Sequence, residues 1–240
     1  MSNPAMAFEQ NWKRASIWML YAVGLMPAIW QFYLGASGNL GADPVKTFER
    51  FLGLWAIRFL ILTLAISPLR ELFGINLIRY RRALGLLCFY YALMHFTAYL
   101  VLDQTLMLEA VLADITKRPF IMLGMAALAL LLPLALTSNA YSIRKLGRNW
   151  SRLHKLIYVV AICAAIHFTL ATKVLSGEQY LDLTLIALLL IYRLARPLLR
   201  HRRRKTRRPI EACLPKHASP SALHPNELPH RTKSAACADT

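Results

Sequence analysis

Residues 81–99 read RRALGLLCFYYALMHFTAY: two arginines, then an apolar stretch interrupted only by His95. From Ala83 to Leu102 there is no Asp, Glu, Lys or Arg. A helix of that length, at ~1.5 Å per residue, crosses the ~30 Å hydrocarbon layer of a bilayer. A helix buried in a soluble core needs no such unbroken run. The reading of this segment as a membrane span therefore sets the terms for the rest of the chain.

Working outward, comparable runs occur at about 16–34, 48–67, 119–136, 154–172 and 180–198. The first is too long for a secretory signal and lacks a small-x-small cleavage site, so it reads as a retained helix. The second is expected to stop at Ser67-Pro68, because proline cannot continue the hydrogen-bond ladder. The expected fold is an all-α integral membrane protein, a bundle of six transmembrane helices. The expected organisation is a lead over 1–15, a membrane domain over 16–198 and a basic, disordered tail over 199–240. No internal repeat is evident at this level.

Of 240 residues, 57% are hydrophobic, and the formal net charge is +17. Such charge could belong to a nucleic-acid binder, but that requires a basic folded face with stacking aromatics. Here the charges lie between apolar runs instead: Lys13 and Arg14, then Arg70, Arg79, Arg81 and Arg82, then Arg144 to Lys155, then RHRRRK from Arg200. The alternate loops hold Asp43, Asp103, Glu109, Asp114 and Glu178. Loops rich in Lys and Arg stay cytoplasmic, which places both termini inside. The tail could meet anionic lipid head groups or act as a plain stop-transfer anchor. Cys88 and Cys163 lie in apolar runs, Cys213 and Cys237 in the tail, and no CxxC or CxxCH occurs. Zinc knuckles and covalent haem attachment are thereby excluded.

Ionisable groups inside a bilayer are costly and point to function. His95 lies about twelve residues into the third run, and His167 lies thirteen residues beyond His154 in the fifth. Those two runs point the same way, so His95 and His167 should share one level in the outer half of the membrane. Facing imidazoles at one height suit the two axial positions of a six-coordinate haem iron. His154, nearer the cytoplasm, is a candidate for a second, inner haem. Arg81 would lie opposite it, since fourteen residues is close to four turns below His95. Thirteen residues rotate His154 about 140° from His167 on an ideal helix, so either that helix is distorted or His154 stands at its non-helical start. Arg58 interrupts the second run near mid-membrane and needs a buried anion. No carboxylate lies in the middle of any run, so a haem propionate would supply the charge.

Three segments, RRALGLLCFYYALMHFTAY (81–99), ITKRPFIMLG (115–124) and LTSNAYSIRKLGRNWSRLHKLIY (136–158), resemble the MsrQ family. These are the haem-binding membrane subunits of the bacterial periplasmic methionine-sulfoxide reductase system, within the ferric-reductase-like group. The resemblance covers roughly 15–198. It implies a haem b protein of the inner membrane that passes electrons to a periplasmic molybdopterin-containing reductase. It also implies His95, His154 and His167 as the haem-binding positions, the quinone pool as a source of electrons, and an association with FMN. Unlike the NADPH oxidases, this chain lacks a second histidine in the third run and any GxGxxG nucleotide-binding domain. The donor is then a separate molecule, quinol or a cytosolic flavin reductase. On this reading the chain is the electron-transfer subunit rather than the catalytic one. A direct ferric reductase and a small transporter using Arg58 and the histidines are the competing readings.

Overall fold

A computed structural model describes residues 4–172 and 174–212, and every regular element among them is helical. By contacts the chain divides into two units, Met1–Leu194 and Ala195–Thr240. The second contains the C-terminal part of the last helix; residues 213–240, most of the expected tail, lie outside the described residues.

The first unit opens with α1, Pro4–Ala36, which begins well before the expected boundary at 16 and contains Pro27. α2 spans Pro44–Phe73. Its start is fixed by Asp43, whose carboxylate accepts from the Lys46 amide, and by proline at the first turn, where no donor is lost. It does not end at Ser67-Pro68 but runs through Pro68 to Gly74, which adopts φ 71°. A membrane helix tolerates an interior proline because neighbouring groups re-satisfy the freed carbonyl, whereas a left-handed glycine ends the ladder.

α3 is Arg81–Ala98 and continues as a π-helical turn over Tyr99–Asp103. A short amphipathic α4, Leu108–Lys117, leads into α5, Pro119–Leu136. Asn139 caps α6, Ala140–Leu146, and α7 follows as Arg148–Leu153. His154–Leu156 is a tight 3-10 turn before α8, Ile157–Ala171. The helix is thus irregular at His154, which stands in the turn that precedes α8. α9 spans Gly177–Ala212.

Among the described residues, five stretches are long and apolar enough to cross a membrane: Arg14–Ala36, Pro44–Phe73, Ile78–Asp103, Pro119–Leu136 and Arg148–Ala171. The sixth apolar run lies in α9, where Asp182, Arg193 and Arg196 interrupt it. Two antiparallel helix pairs, α2 with α3 and α5 with α8, pack most extensively. Leu52, Leu60, Leu87, Tyr91, Val160 and Ile186 are fully buried among them. In lipid that packing rests on close van der Waals fit and buried hydrogen bonds rather than on exclusion of water.

Candidate functional site

Between the two helix pairs lies a cavity of about 510 Å³, within the ~300–1,000 Å³ usual for cofactor and ligand sites. Its walls are apolar and include the small residues Ala56, Ala92, Ala127 and Ala164. Its mouth is polar, with Lys46, Glu49, Arg50, Asp103, Arg118 and Gln179. These residues come from the starts of α2, α5 and α9 and from the end of α3, which all meet at one end of the bundle.

His95 of α3 and His167 of α8 both line the cavity. Their ring centroids are 6.3 Å apart, with the planes inclined at 77°. Nδ1 of His95 donates to the Glu49 carbonyl at 2.8 Å, and Nδ1 of His167 donates to the Phe120 carbonyl at 2.6 Å. A carbonyl can only accept, so each Nδ1 carries the proton and each Nε2 keeps its lone pair. Metal-ligating imidazoles are held in this way, with the outer nitrogen tied to a carbonyl and the inner one free to bind.

The spacing can be tested against a haem. A metal–imidazole bond of ~2.0 Å, plus ~1.1 Å from nitrogen to ring centre on each side of one iron, puts the centroids about 6.2 Å apart. The observed 6.3 Å fits. Among the described residues no three His, Cys, Asp or Glu groups gather to hold a bare metal ion. Haem iron needs only two protein ligands, because the macrocycle supplies the other four.

Two glycines unremarked in the sequence make these contacts possible. A Cβ on Gly53 would stand 3.3 Å from both Cε1 and Nδ1 of His95. A Cβ on Gly124 would stand 2.8 Å from Cε1 and 2.9 Å from Nδ1 of His167. Each glycine lies four residues after the carbonyl that anchors the ring. The sequence does carry a short echo: Leu52-Gly53 precedes His95-Phe96-Thr97, and Leu123-Gly124 precedes His167-Phe168-Thr169, with 42 and 43 positions from glycine to histidine.

The remaining candidates lie elsewhere. His154 and Arg81 are not among the residues lining the cavity. His154 donates from Nδ1 to the Trp150 carbonyl at 3.1 Å and stacks on Trp150 at 4.0 Å between centroids. Its Nε2 lies 3.5 Å from the Ser138 hydroxyl. Arg82, the neighbour of Arg81, donates to the Ser138 carbonyl and so reaches the His154 region. Arg58 also stands off the cavity lining. Its anion comes from the protein: Nη2 is 2.9 Å from Glu178 and Nε is 3.8 Å from Asp182, both on α9. The expectation that no carboxylate of the chain reaches Arg58, which had pointed to a haem propionate, is corrected accordingly. The sequence could not show this, because the carboxylates lie 120 and 124 positions away, near the start of another helix.

Residues 52–165 match the family described as ferric reductase like transmembrane component. The chain is also similar to curated proteins named protein-methionine-sulfoxide reductase heme-binding subunit MsrQ. Those from Brucella ovis, Brucella canis and Brucella suis are each 61% identical over 193 residues, covering 80% of this chain and 86% of theirs.

Proposed function

The chain belongs to the MsrQ family, and from that membership we propose that it is a haem b electron-transfer subunit of the bacterial inner membrane. It takes electrons from the quinone pool or a cytosolic flavin donor and passes them to a periplasmic molybdopterin-dependent methionine-sulfoxide reductase. The observation that carries this reading is the His95–His167 pair, with ring centroids 6.3 Å apart and each Nδ1 fixed on a backbone carbonyl.

Bound haem would supply a one-electron couple between the two helix pairs. His95 and His167 would hold it from opposite faces with their Nε2 atoms, while the alanine-rich walls leave room for a flat ring and exclude water. Lys46, Arg50 and Arg118 give the mouth cationic partners for carboxylates. Lys46 already pairs with Asp43 and Arg118 with Asp114, whereas Arg50 has no ion pair among the described residues. Arg50 is therefore the first choice for a propionate.

Six spans with both termini in the cytoplasm complete the reading. Arg58 and Glu71 follow one another along α2, as do Asp182 and Tyr192 along α9. Arg58 meets Asp182, and Tyr192 donates to Glu71 at 3.0 Å. The two helices therefore run parallel over about thirteen residues, as the second and sixth spans of such a bundle must. This topology turns the cavity mouth to the periplasm, where an electron leaves for the reductase. At the cytoplasmic end, His154 repeats the carbonyl-anchored Nδ1 of the other two histidines. It is the proposed ligand of an inner haem, with Arg81 as its partner across the bundle.

The test is a dithionite-reduced minus oxidised visible spectrum of the purified, haem-supplied protein. Low-spin Soret and alpha bands are expected, and most of the outer-haem signal should vanish in His95→Ala and in His167→Ala. A protein without haem bands, or two variants that keep the full low-spin spectrum, would overturn the assignment.

A further inference from the structure

We infer that Gly53 and Gly124 are positioning residues of the haem site, holding the axial imidazoles against helix carbonyls and so setting ligand strength and redox potential. This rests on the proposed haem reading and adds to it two residues that touch neither iron nor substrate.

The geometry follows from how a helix presents its carbonyls. The carbonyl of residue i already accepts from the amide of i+4 within the helix. A second donor must approach from the side, and the side chain of i+4 lies directly over that approach. Glu49 with Gly53, and Phe120 with Gly124, have this i, i+4 relationship. Only glycine leaves the lane open. The same solution appears twice, once for each ligand and once in each helix pair.

The two cradles are not equally tight. A Cβ at position 124 would overlap the His167 ring, since 2.8 and 2.9 Å lie inside carbon and nitrogen contact distance. His167 would have to leave its carbonyl, and the whole helix would have to shift to restore the bond. At position 53 the approach is 3.3 Å, so the His95 ring need yield only a few tenths of an ångström. The His167 side is the rigid half of the site and the His95 side the compliant half. A lengthened Nδ1–H···O=C bond makes an imidazole a weaker donor to iron. Weaker donation favours the reduced state, so the midpoint potential moves upward.

Three single variants test this in the full-length, haem-supplied protein: Gly124→Ala, Gly53→Ala and Gly85→Ala. Gly85 is the control, because its Cβ would meet only Thr63 Cγ2 at an ordinary 3.8 Å. Gly124→Ala is expected to lose most low-spin Soret absorbance, and added imidazole should restore a low-spin spectrum by filling the vacated coordination position. Gly53→Ala should keep low-spin haem with a more positive midpoint in a redox titration. Gly85→Ala should match the wild type in both. Wild-type spectrum and potential in both Gly124→Ala and Gly53→Ala, while His95→Ala and His167→Ala lose haem, would overturn this inference and leave the haem reading standing. Retention of low-spin haem in both histidine variants would overturn the haem reading itself. If Gly124→Ala fails to accumulate, Gly53→Ala decides: a raised midpoint supports the cradle and an unmoved one refutes it. A Gly124→Ala protein that folds but stays high-spin in imidazole also refutes it, since then the cavity and not the ligand has been lost.

Discussion

Arg58 of α2 reaches Glu178 of α9 across 120 positions of sequence, with Nη2 and Oε2 2.9 Å apart. Asp182, one turn further along α9, is 8% exposed and lies 3.8 Å from the same guanidinium. A charged pair in a membrane bundle is tolerated because each member neutralises the other. Arg58→Leu would leave the Asp182 carboxylate buried without a counter-charge, at a cost of roughly 3 kcal/mol, the lower end for a broken buried pair. Thermal unfolding in detergent should show that loss, and adding Asp182→Asn should recover much of it. Strictly additive effects of the two substitutions would count against the coupling.

Tyr91 is fully buried, and its hydroxyl sits inside the first helix. It donates to the Gly24 carbonyl at 2.7 Å and accepts from the Ala28 amide at 3.2 Å, beside Pro27. Tyr91→Phe removes both bonds without changing packing volume, which typically costs about 1–3 kcal/mol where a buried group is left unsatisfied. A lowered melting temperature with an unchanged haem spectrum is expected. Loss of haem in this variant would mean that α1, which lends Gln31 to the cavity wall, is held in place for the site by Tyr91.

The cation at the mouth has an electrostatic consequence. Reduction removes one positive charge from the haem, so a nearby guanidinium favours the reduced form. Arg50→Gln should therefore lower the midpoint potential, the opposite direction to Gly53→Ala. Redox titration of both variants separates the two effects, and an unmoved midpoint in Arg50→Gln would remove Arg50 from the propionate site.

Haem stoichiometry decides the inner site. The proposed inner haem at His154 requires two haems per chain, falling to one in His154→Ala with the outer spectrum intact. Arg81→Ala should perturb the same inner fraction, and the effects of the two substitutions should not add. A ratio of one that neither substitution changes would leave His154 as the Trp150-stacked residue of the turn before α8.

Five of the six expected membrane runs, and the nearness in level of His95 and His167, were legible in the sequence alone. Membrane crossing is a one-dimensional property of length and polarity, so 83–102 and 119–136 could be read directly, and counting residues along two parallel runs placed His95 and His167 at one height. Their meeting across 6.3 Å agrees with that count.

What only the tertiary structure decided were the lateral relationships. Which carbonyl accepts from each Nδ1, and which glycine clears its path, depends on how α2 lies against α3 and α5 against α8. Helix periodicity fixes a residue's bearing on its own helix but not the neighbour that this bearing meets. Arg58 shows the same limit: its anion was sought in a cofactor because no carboxylate lay within its own run, and packing against α9 brought Glu178 and Asp182 to it. Pro68 shows it for the backbone: read from the sequence as a stop, it is passed by α2, which runs on to Phe73, as a packed membrane helix can tolerate the loss of one ladder bond.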